Sequence, residues 1–275
     1  MAELDAFFLP LEQGSRFCVL HSPVHVAQPR GAILYVHPFA EELNKSRRMA
    51  ALQARAFARA GWTVLQIDLL GCGDSSGGFA DATWAHWIED TVSAARWLQT
   101  TTGHAPVLWG LRSGCLLICE TAHHMDRSVA LLLWQPVVSG KQLLQQFLRL
   151  KVANQVAARD DSERRGTQQL RAELAQGRSV EVAGYTLAPE LALPLEAAEL
   201  GVPKTPTRIT WLEVGASTDA ELSPTARLRI AAWQQAGHCV QAQVVSGSRF
   251  WQTVEISECP ALVDATLQMV DRWSE

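Results

Sequence analysis

The segment Gly110-Leu111-Arg112-Ser113-Gly114 sets one residue between two glycines, each two positions away. Between an apolar run and a helical one, that spacing suits a strained strand-to-helix turn in which side chains at the glycine positions would strike the neighbouring strand and helix. With serine at the centre, such a turn presents a nucleophile for acyl transfer. Here the centre is Arg112, whose guanidinium stays protonated at neutral pH and serves neither as nucleophile nor as general base. It can bind an anion bidentately, helped by the dipole of the following helix, or pair with a carboxylate such as Glu41 or Glu42.

A serine-type reaction on this turn also needs an acid and then a histidine, later in the chain. The acid position follows Arg208 to Val214, where Asp219 is the first candidate and Glu213 and Glu221 are alternatives. The histidine position falls in Val245-Ser246-Gly247-Ser248-Arg249-Phe250-Trp251, which contains no histidine and offers Arg249 instead. His238 precedes that strand and belongs to the opposite end of a sheet. Ser113 is a displaced-nucleophile candidate, but Leu111 and Cys115 stand where its own turn would need glycines, and only His37 offers a base. The catalytic candidates are therefore Arg112, Ser113 and Asp219. His37-Pro38-Phe39-Ala40-Glu41-Glu42 follows an earlier strand and resembles the oxyanion loop of α/β hydrolases with Pro38 in place of the usual glycine, a resemblance which implies that the N–H of Phe39 or Ala40, with that of Ser113, would face a developing negative oxygen. Glu41, Glu42, Arg249 and Trp251 are the candidate ligand-binding side chains. Trp84 and Trp87 belong near the same cleft, as sugar platforms or as core. Lys45, Arg47 and Arg48 read as a solvated helix start or as phosphate contacts.

The elements that must hold these residues are legible as short β-branched runs alternating with helical periods. Strands are predicted at Phe17 to His21, Ala32 to His37, Thr63 to Asp68, Val107 to Gly110, Val129 to Trp134, Arg208 to Val214 and Val240 to Val245. Trp84, Trp87, Ile88, Thr91, Ala95 and Leu98 share one helical face. A second helix runs from Pro224 to Ala236, with Ser223 as N-cap and Gly237 as stop. From Ser139 to Gly201 the strand rhythm gives way to a mainly helical insertion. It has an apolar stripe at Leu144, Phe147, Leu148 and Val152, a charged run at Arg159 to Arg165, an extended piece at Val180 and Val182, and a helix near Pro189 to Leu200. The expected organisation is a core of residues 1–138 and 202–275 with a helical cap, 139–201, over the carboxyl edge of a mostly parallel sheet.

A chain of 275 residues with a formal charge of −4 buries a large core and shows no basic stripe, so nucleic acid is not an expected partner. No apolar run approaches the roughly 20 residues of a membrane span, and no leader pattern opens the chain. A cytoplasmic protein without stable membrane insertion is expected, with a small-molecule ligand and a possible homodimer. The six cysteines are scattered; Cys115 and Cys119 lie four apart with no further ligand at zinc-site spacing, so neither metal nor cofactor is expected.

Asp68-Leu69-Leu70-Gly71-Cys72-Gly73-Asp74-Ser75-Ser76-Gly77 resembles the DxxGxGxSxG turn of α/β hydrolases. Together with His37 to Met49, Phe79 to Trp84, Gly110-Leu111-Arg112, Trp134 to Val137, Val182 to Tyr185 and Phe250 to Thr253, it makes the chain resemble the exosortase A system-associated hydrolase 2 family from about Leu4 to Asp271. The resemblance implies an α/β-hydrolase fold, of class α/β, and an association with bacterial exopolysaccharide and protein-sorting gene clusters, without a substrate. Two functions follow. One is a degenerate or non-classical site binding an anionic or glycan-derived ligand; the other is an ester hydrolase or acyltransferase with an unorthodox site.

Overall fold

The computed structural model describes residues 3–24, 26, 29–157, 166–201, 203–217 and 219–274. The charged run Arg159 to Arg165 lies outside them. The chain runs β1 (Glu3–Leu11), β2 (Gly14–Ser22), β3 (Gly31–Val36), α1 (Glu41–Arg59), β4 (Trp62–Ile67), α2 (Trp84–Thr102), β5 (Val107–Leu111), α3 (Gly114–Ala122) and β6 (Leu131–Trp134). It continues with α4 (Gly140–Ala157), α5 (Thr167–Ala175), β7 (Val180–Val182), β8 (Tyr185–Leu187), α6 (Pro189–Ala197), β9 (Arg208–Gly215), α7 (Pro224–Gln235), β10 (Cys239–Ser246) and α8 (Pro260–Asp271).

Eight strands form one sheet in the order β1-β2-β4-β3-β5-β6-β9-β10. From β4 to β10 every pairing is parallel, while β2 pairs antiparallel with both β1 and β4. The chain leaves β3 for β4 on one side and later returns to β5 on the other. The carboxyl ends of β3 and β5, in register at Val36 and Gly110, therefore open a crevice at the point where strand order reverses, the usual ligand position in open α/β sheets.

Strand alternation makes two cores. Ala32, Leu34 and Val36 of β3 join one apolar cluster with α2, α3 and the elements between β6 and β9. Ile33 and Tyr35 join the other, with Met49, Ala54 and Phe57 of α1 and Leu262, Ala265 and Met269 of α8. Local chemistry sets the helix ends. Thr83 Oγ1 accepts the His86 N–H at 3.1 Å to open α2, and Gly103 at φ 74° closes it. Ser223 Oγ accepts the Ala226 N–H at 3.2 Å to open α7, with Pro224 in its first turn.

The expected strands and both expected helices are present within a few residues of the predicted bounds. β1 and α8 fall outside these expectations, and α1 begins earlier than the helix start read at Lys45 to Arg48. β1 lies at the sheet edge with six of its nine residues exposed, so it lacks the apolar–polar contrast that marks a half-buried strand. Helix α8 begins at Pro260 without a polar cap. Helix α1 starts earlier than the oxyanion-type loop was expected to end, so Glu41 and Glu42 lie in its first turn rather than in that loop. Between β6 and β9, α4, α5, the β7–β8 hairpin and α6 pack together, and α6 contacts α2. Among the described residues, no helix is long and apolar enough to cross a membrane.

Candidate functional site

Arg112 occupies the turn between β5 and α3 at φ 55°, a left-handed conformation that L-residues adopt at a cost of about 1–2 kcal/mol. The flanking glycines explain how the backbone tolerates it. A Cβ on Gly110 would stand 2.7 Å from the Cys115 amide nitrogen, and one on Gly114 would stand 2.3 Å from the Val36 carbonyl oxygen. The turn is fixed by backbone bonds: Arg112 N–H donates to Trp134 O at 3.0 Å, and Arg112 O accepts from Cys115 N–H at 3.1 Å and Val137 N–H at 3.3 Å. The glycine spacing read from the sequence thus has its steric cause in the opposing backbone of β3 and α3.

The Arg112 side chain is 11% exposed and pairs with Glu42, itself 10% exposed. Its Nε donates to the two carboxylate oxygens at 3.2 and 3.3 Å, and its terminal nitrogen lies 3.2 Å from Oε1. The guanidinium carbon is 5.7 Å from the Trp251 ring centre, a cation–π distance. Burial pushes the Glu42 carboxyl above its ordinary value, against the pull of Arg112. Burial likewise raises Glu41, with Lys45 and Arg112 opposing. Of the two partners considered for Arg112, Glu42 makes the pair, while Glu41 Oε2 is buried with no hydrogen-bond partner.

The other candidates divide. His37 is buried at 2% exposure, its Nδ1 donates to Pro38 O at 2.8 Å, and its Nε2 accepts the Leu69 N–H at 3.2 Å. Both ring nitrogens are committed to backbone, which fixes the neutral tautomer and leaves no lone pair for Ser113; burial lowers its proton affinity further. Ser113 is buried at the start of α3 and makes no capping bond. Asp219 is exposed beyond β9, and Arg249 is exposed beyond β10. Glu213 is held in the fold instead: it accepts the Trp211 indole N–H at 3.1 Å and the Ser223 N–H at 3.1 Å, anchoring the start of α7. His238 lies at the amino end of β9 and β10, where its Nδ1 accepts the Thr207 N–H at 3.2 Å. Trp251 is buried beside the elbow with its indole N–H unpaired, and Phe250 packs on it at 5.0 Å.

The loop after β3 holds Phe39 and Ala40, the latter at φ 48°. Among the described residues, the N–H groups of Phe39, Ala40 and Ser113 have no hydrogen-bond acceptor. Phe39 packs edge-on against Phe147 of α4 at 5.0 Å and against Trp87 at 6.0 Å, and the Trp87 indole donates to Leu70 O at 3.0 Å. Trp84 and Trp87 are both buried core residues. Between α1, α4 and the β10–α8 connection lies a cavity of about 250 Å³, lined among others by Glu41, Lys45, Gln146, Phe147, Trp251 and Gln252. Gln146 and Gln252 were not singled out from sequence, since an isolated glutamine carries no spacing signal.

The glycine turn after β4 is a structural knot. Asp68 Oδ2 accepts from Arg47 at 2.9 Å, Ser75 Oγ donates to Asp68 O at 2.6 Å and accepts the Phe17 N–H at 2.9 Å. A Cβ on Gly73 would stand 1.9 Å from Asp68 Oδ2. Arg47 thereby ties the start of α1 to this turn.

Solved structures share this fold. Est1E from Butyrivibrio proteoclasticus, solved with ferulic acid bound, is 13% identical, with a TM-score of 0.70 over 98% of this chain and 100% of that one. XC6422 from Xanthomonas campestris, described as an α/β serine hydrolase without lid, is 15% identical, with a TM-score of 0.58 over 98% and 95% of the two chains. The chain has the α/β-hydrolase fold. Esterase 2 of Thermogutta terrifontis, phosphoramylated by tabun, is 17% identical to this α/β-hydrolase-fold protein, with a TM-score of 0.54 over 99% and 93% of the chains. The family model of X-Pro dipeptidyl-peptidases (S15 family) matches residues 19–141, from β2 through the elbow to the start of α4. No curated protein sequence matches the chain.

Proposed function

We propose that this α/β-hydrolase-fold protein is a binding protein with a degenerate elbow, taking a small glycan-derived ligand in the cavity beside Arg112 and performing no serine-type ester hydrolysis. The observation that carries the reading is the Arg112–Glu42 pair at the nucleophile position. A guanidinium already neutralised by a buried carboxylate offers little to a ligand anion, so a hydroxyl-rich molecule fits better than a strongly charged one. The unpaired Glu41 Oε2 and Trp251 N–H, with Gln146, Gln252 and Lys45, offer donors and acceptors to such hydroxyls. Phe147 and Trp251 supply aromatic faces. The resemblance to the exosortase A system-associated hydrolase 2 family, through its exopolysaccharide clusters, supports a saccharide source.

Calorimetric titration with neutral and uronic-acid-containing oligosaccharides tests this. The expected result is saturable binding of the neutral sugar that weakens at least fivefold in Phe147→Ala; no binding of either sugar contradicts the reading.

A second reading, ester hydrolysis or acyl transfer at an unorthodox site, has one observation in its favour. The free amides of Phe39, Ala40 and Ser113 are the set that would stabilise an oxyanion. Hydrolysis of p-nitrophenyl butyrate well above background, abolished by Ser113→Ala, would establish it.

A further inference from the structure

A second concavity lies on the other side of α1 from the elbow, between that helix and the β1–β2 hairpin. It holds about 190 Å³, less than the roughly 300–1,000 Å³ of drug-sized sites. α1 contributes Arg47, Ala51 and Arg55, four residues apart and therefore on one face, with the alanine leaving room between the arginines. β2 contributes Phe17, Val19 and His21, alternate residues on one face of the sheet. Leu4 of β1, 55% exposed, stands at its edge.

The charges in this groove do not balance. Arg47 is neutralised by Asp68 at 2.9 Å. Arg55 is half-buried and makes no ion pair or hydrogen bond among the described residues. His21 is 1% exposed; its Nε2 bonds Gln66 Oε1 at 2.9 Å, and its Nδ1 is buried with no partner. A buried polar atom without a partner destabilises a folded protein, and a ligand atom can relieve that. Because Nε2 donates to the Gln66 carbonyl, Nδ1 becomes a donor only in the imidazolium form.

We propose that this groove is a ligand site, separate from the elbow, for a small monocarboxylate with an apolar body. Its carboxylate pairs with Arg55 and with Nδ1–H of a protonated His21, and its body lies on Phe17 and Val19. The titratable and polar groups that line the groove with His21 are Arg55 and Arg47 from α1, Tyr35 from β3, His37 after β3, Gln66 from β4 and Asp68 after β4, while β1 adds only Leu4. Without ligand, burial and Arg55 push His21 below its ordinary value, against the hydrogen bond it donates to Gln66. A carboxylate between the two side chains reverses that balance, so binding takes up a proton and affinity rises as pH falls, by up to about tenfold per unit.

The test is calorimetric titration of the full chain with benzoate between pH 6 and 8, with phenyl phosphate in parallel. Benzoate is expected to bind more tightly at pH 6. Arg55→Gln, at a half-exposed site, weakens it about tenfold or more, and Arg55→Lys restores most of the loss. His21→Gln flattens the pH profile, and Arg112→Gln changes nothing. Absence of benzoate binding at every pH overturns the proposal, as does binding indifferent to Arg55→Gln or lost only in Arg112→Gln. Tighter binding of phenyl phosphate than of benzoate overturns the carboxylate assignment. Sugar binding at the elbow cavity is independent of all these outcomes.

Discussion

The guanidinium carbon of Arg112 lies 5.7 Å from the centre of the Trp251 ring while Glu42 holds the same group at 3.2 Å. Arginine and tryptophan thus meet at the turn between β5 and α3. The elbow is closed by an internal ion pair, and its consequences are measurable.

The two halves of the pair are unequal. Glu42→Gln strands a nearly buried arginine that cannot lose its proton, at a cost of about 3 kcal/mol. Arg112→Gln strands a carboxyl already raised by burial, which can take up a proton, so the loss is smaller, on the order of 1 kcal/mol. Urea unfolding of the two variants and the double variant at pH 6 is expected to rank Glu42→Gln as the least stable; equal losses contradict the asymmetry.

Backbone strain at φ 55° separates two further substitutions. Arg112→Gly and Arg112→Ala both remove the ion pair, but only alanine keeps the left-handed penalty, so the glycine variant is expected to be more stable by roughly 1 kcal/mol. Thermal unfolding of the two side by side checks it.

Gly114→Ala forces a Cβ to within 2.3 Å of the Val36 carbonyl oxygen, where backbone on both sides resists movement. A loss of roughly 1–3 kcal/mol is expected, by analogy with overpacking of a tight core. Gly177, whose added Cβ meets nothing, has φ 79° and so provides a control in which only backbone strain acts. A smaller loss at Gly177 than at Gly114 is the predicted order in denaturant melts.

Glu41 gives a pH dependence. Its carboxyl is raised above the ordinary value near 4.5 by burial, so the folded state holds this proton more tightly than the unfolded chain. Stability contributed by the protonated form is present below pH 4.5 and declines as pH rises through the folded-state value. Glu41→Gln removes that decline, so the variant is expected to gain on the parent between pH 4 and 7; a constant difference across that range contradicts it.

The sequence carried the fold through features that are local. Gly110 and Gly114, the Asp68–Gly77 turn, Ser223-Pro224 and the alternation in β3 to β6 each have a steric or hydrogen-bonding cause within a few residues, so spacing alone exposes them. Arg112 between the two glycines and the absence of histidine from Val245 to Trp251 are read directly from the sequence. What decides the site is not. Whether Arg112 meets Glu41 or Glu42 depends on where α1 begins and on side-chain direction across 70 residues of intervening chain. That His37 is locked by Pro38 O and Leu69 N–H depends on the fold of the β4 turn. Trp251 enters the elbow through the β10–α8 connection, which has no periodicity to read. Edge strand β1 escaped because its exposed residues give no apolar–polar alternation, and the Arg55–His21 groove because it becomes visible only when the hairpin is laid against α1.

The central claim, a fold retained without its serine chemistry, is tested most directly by intact-mass spectrometry after incubation with a fluorophosphonate. The account predicts no adduct on the parent protein and none on Ser113→Ala. A stoichiometric adduct on the parent that maps to Ser113, accompanied by loss of p-nitrophenyl butyrate hydrolysis, would contradict it.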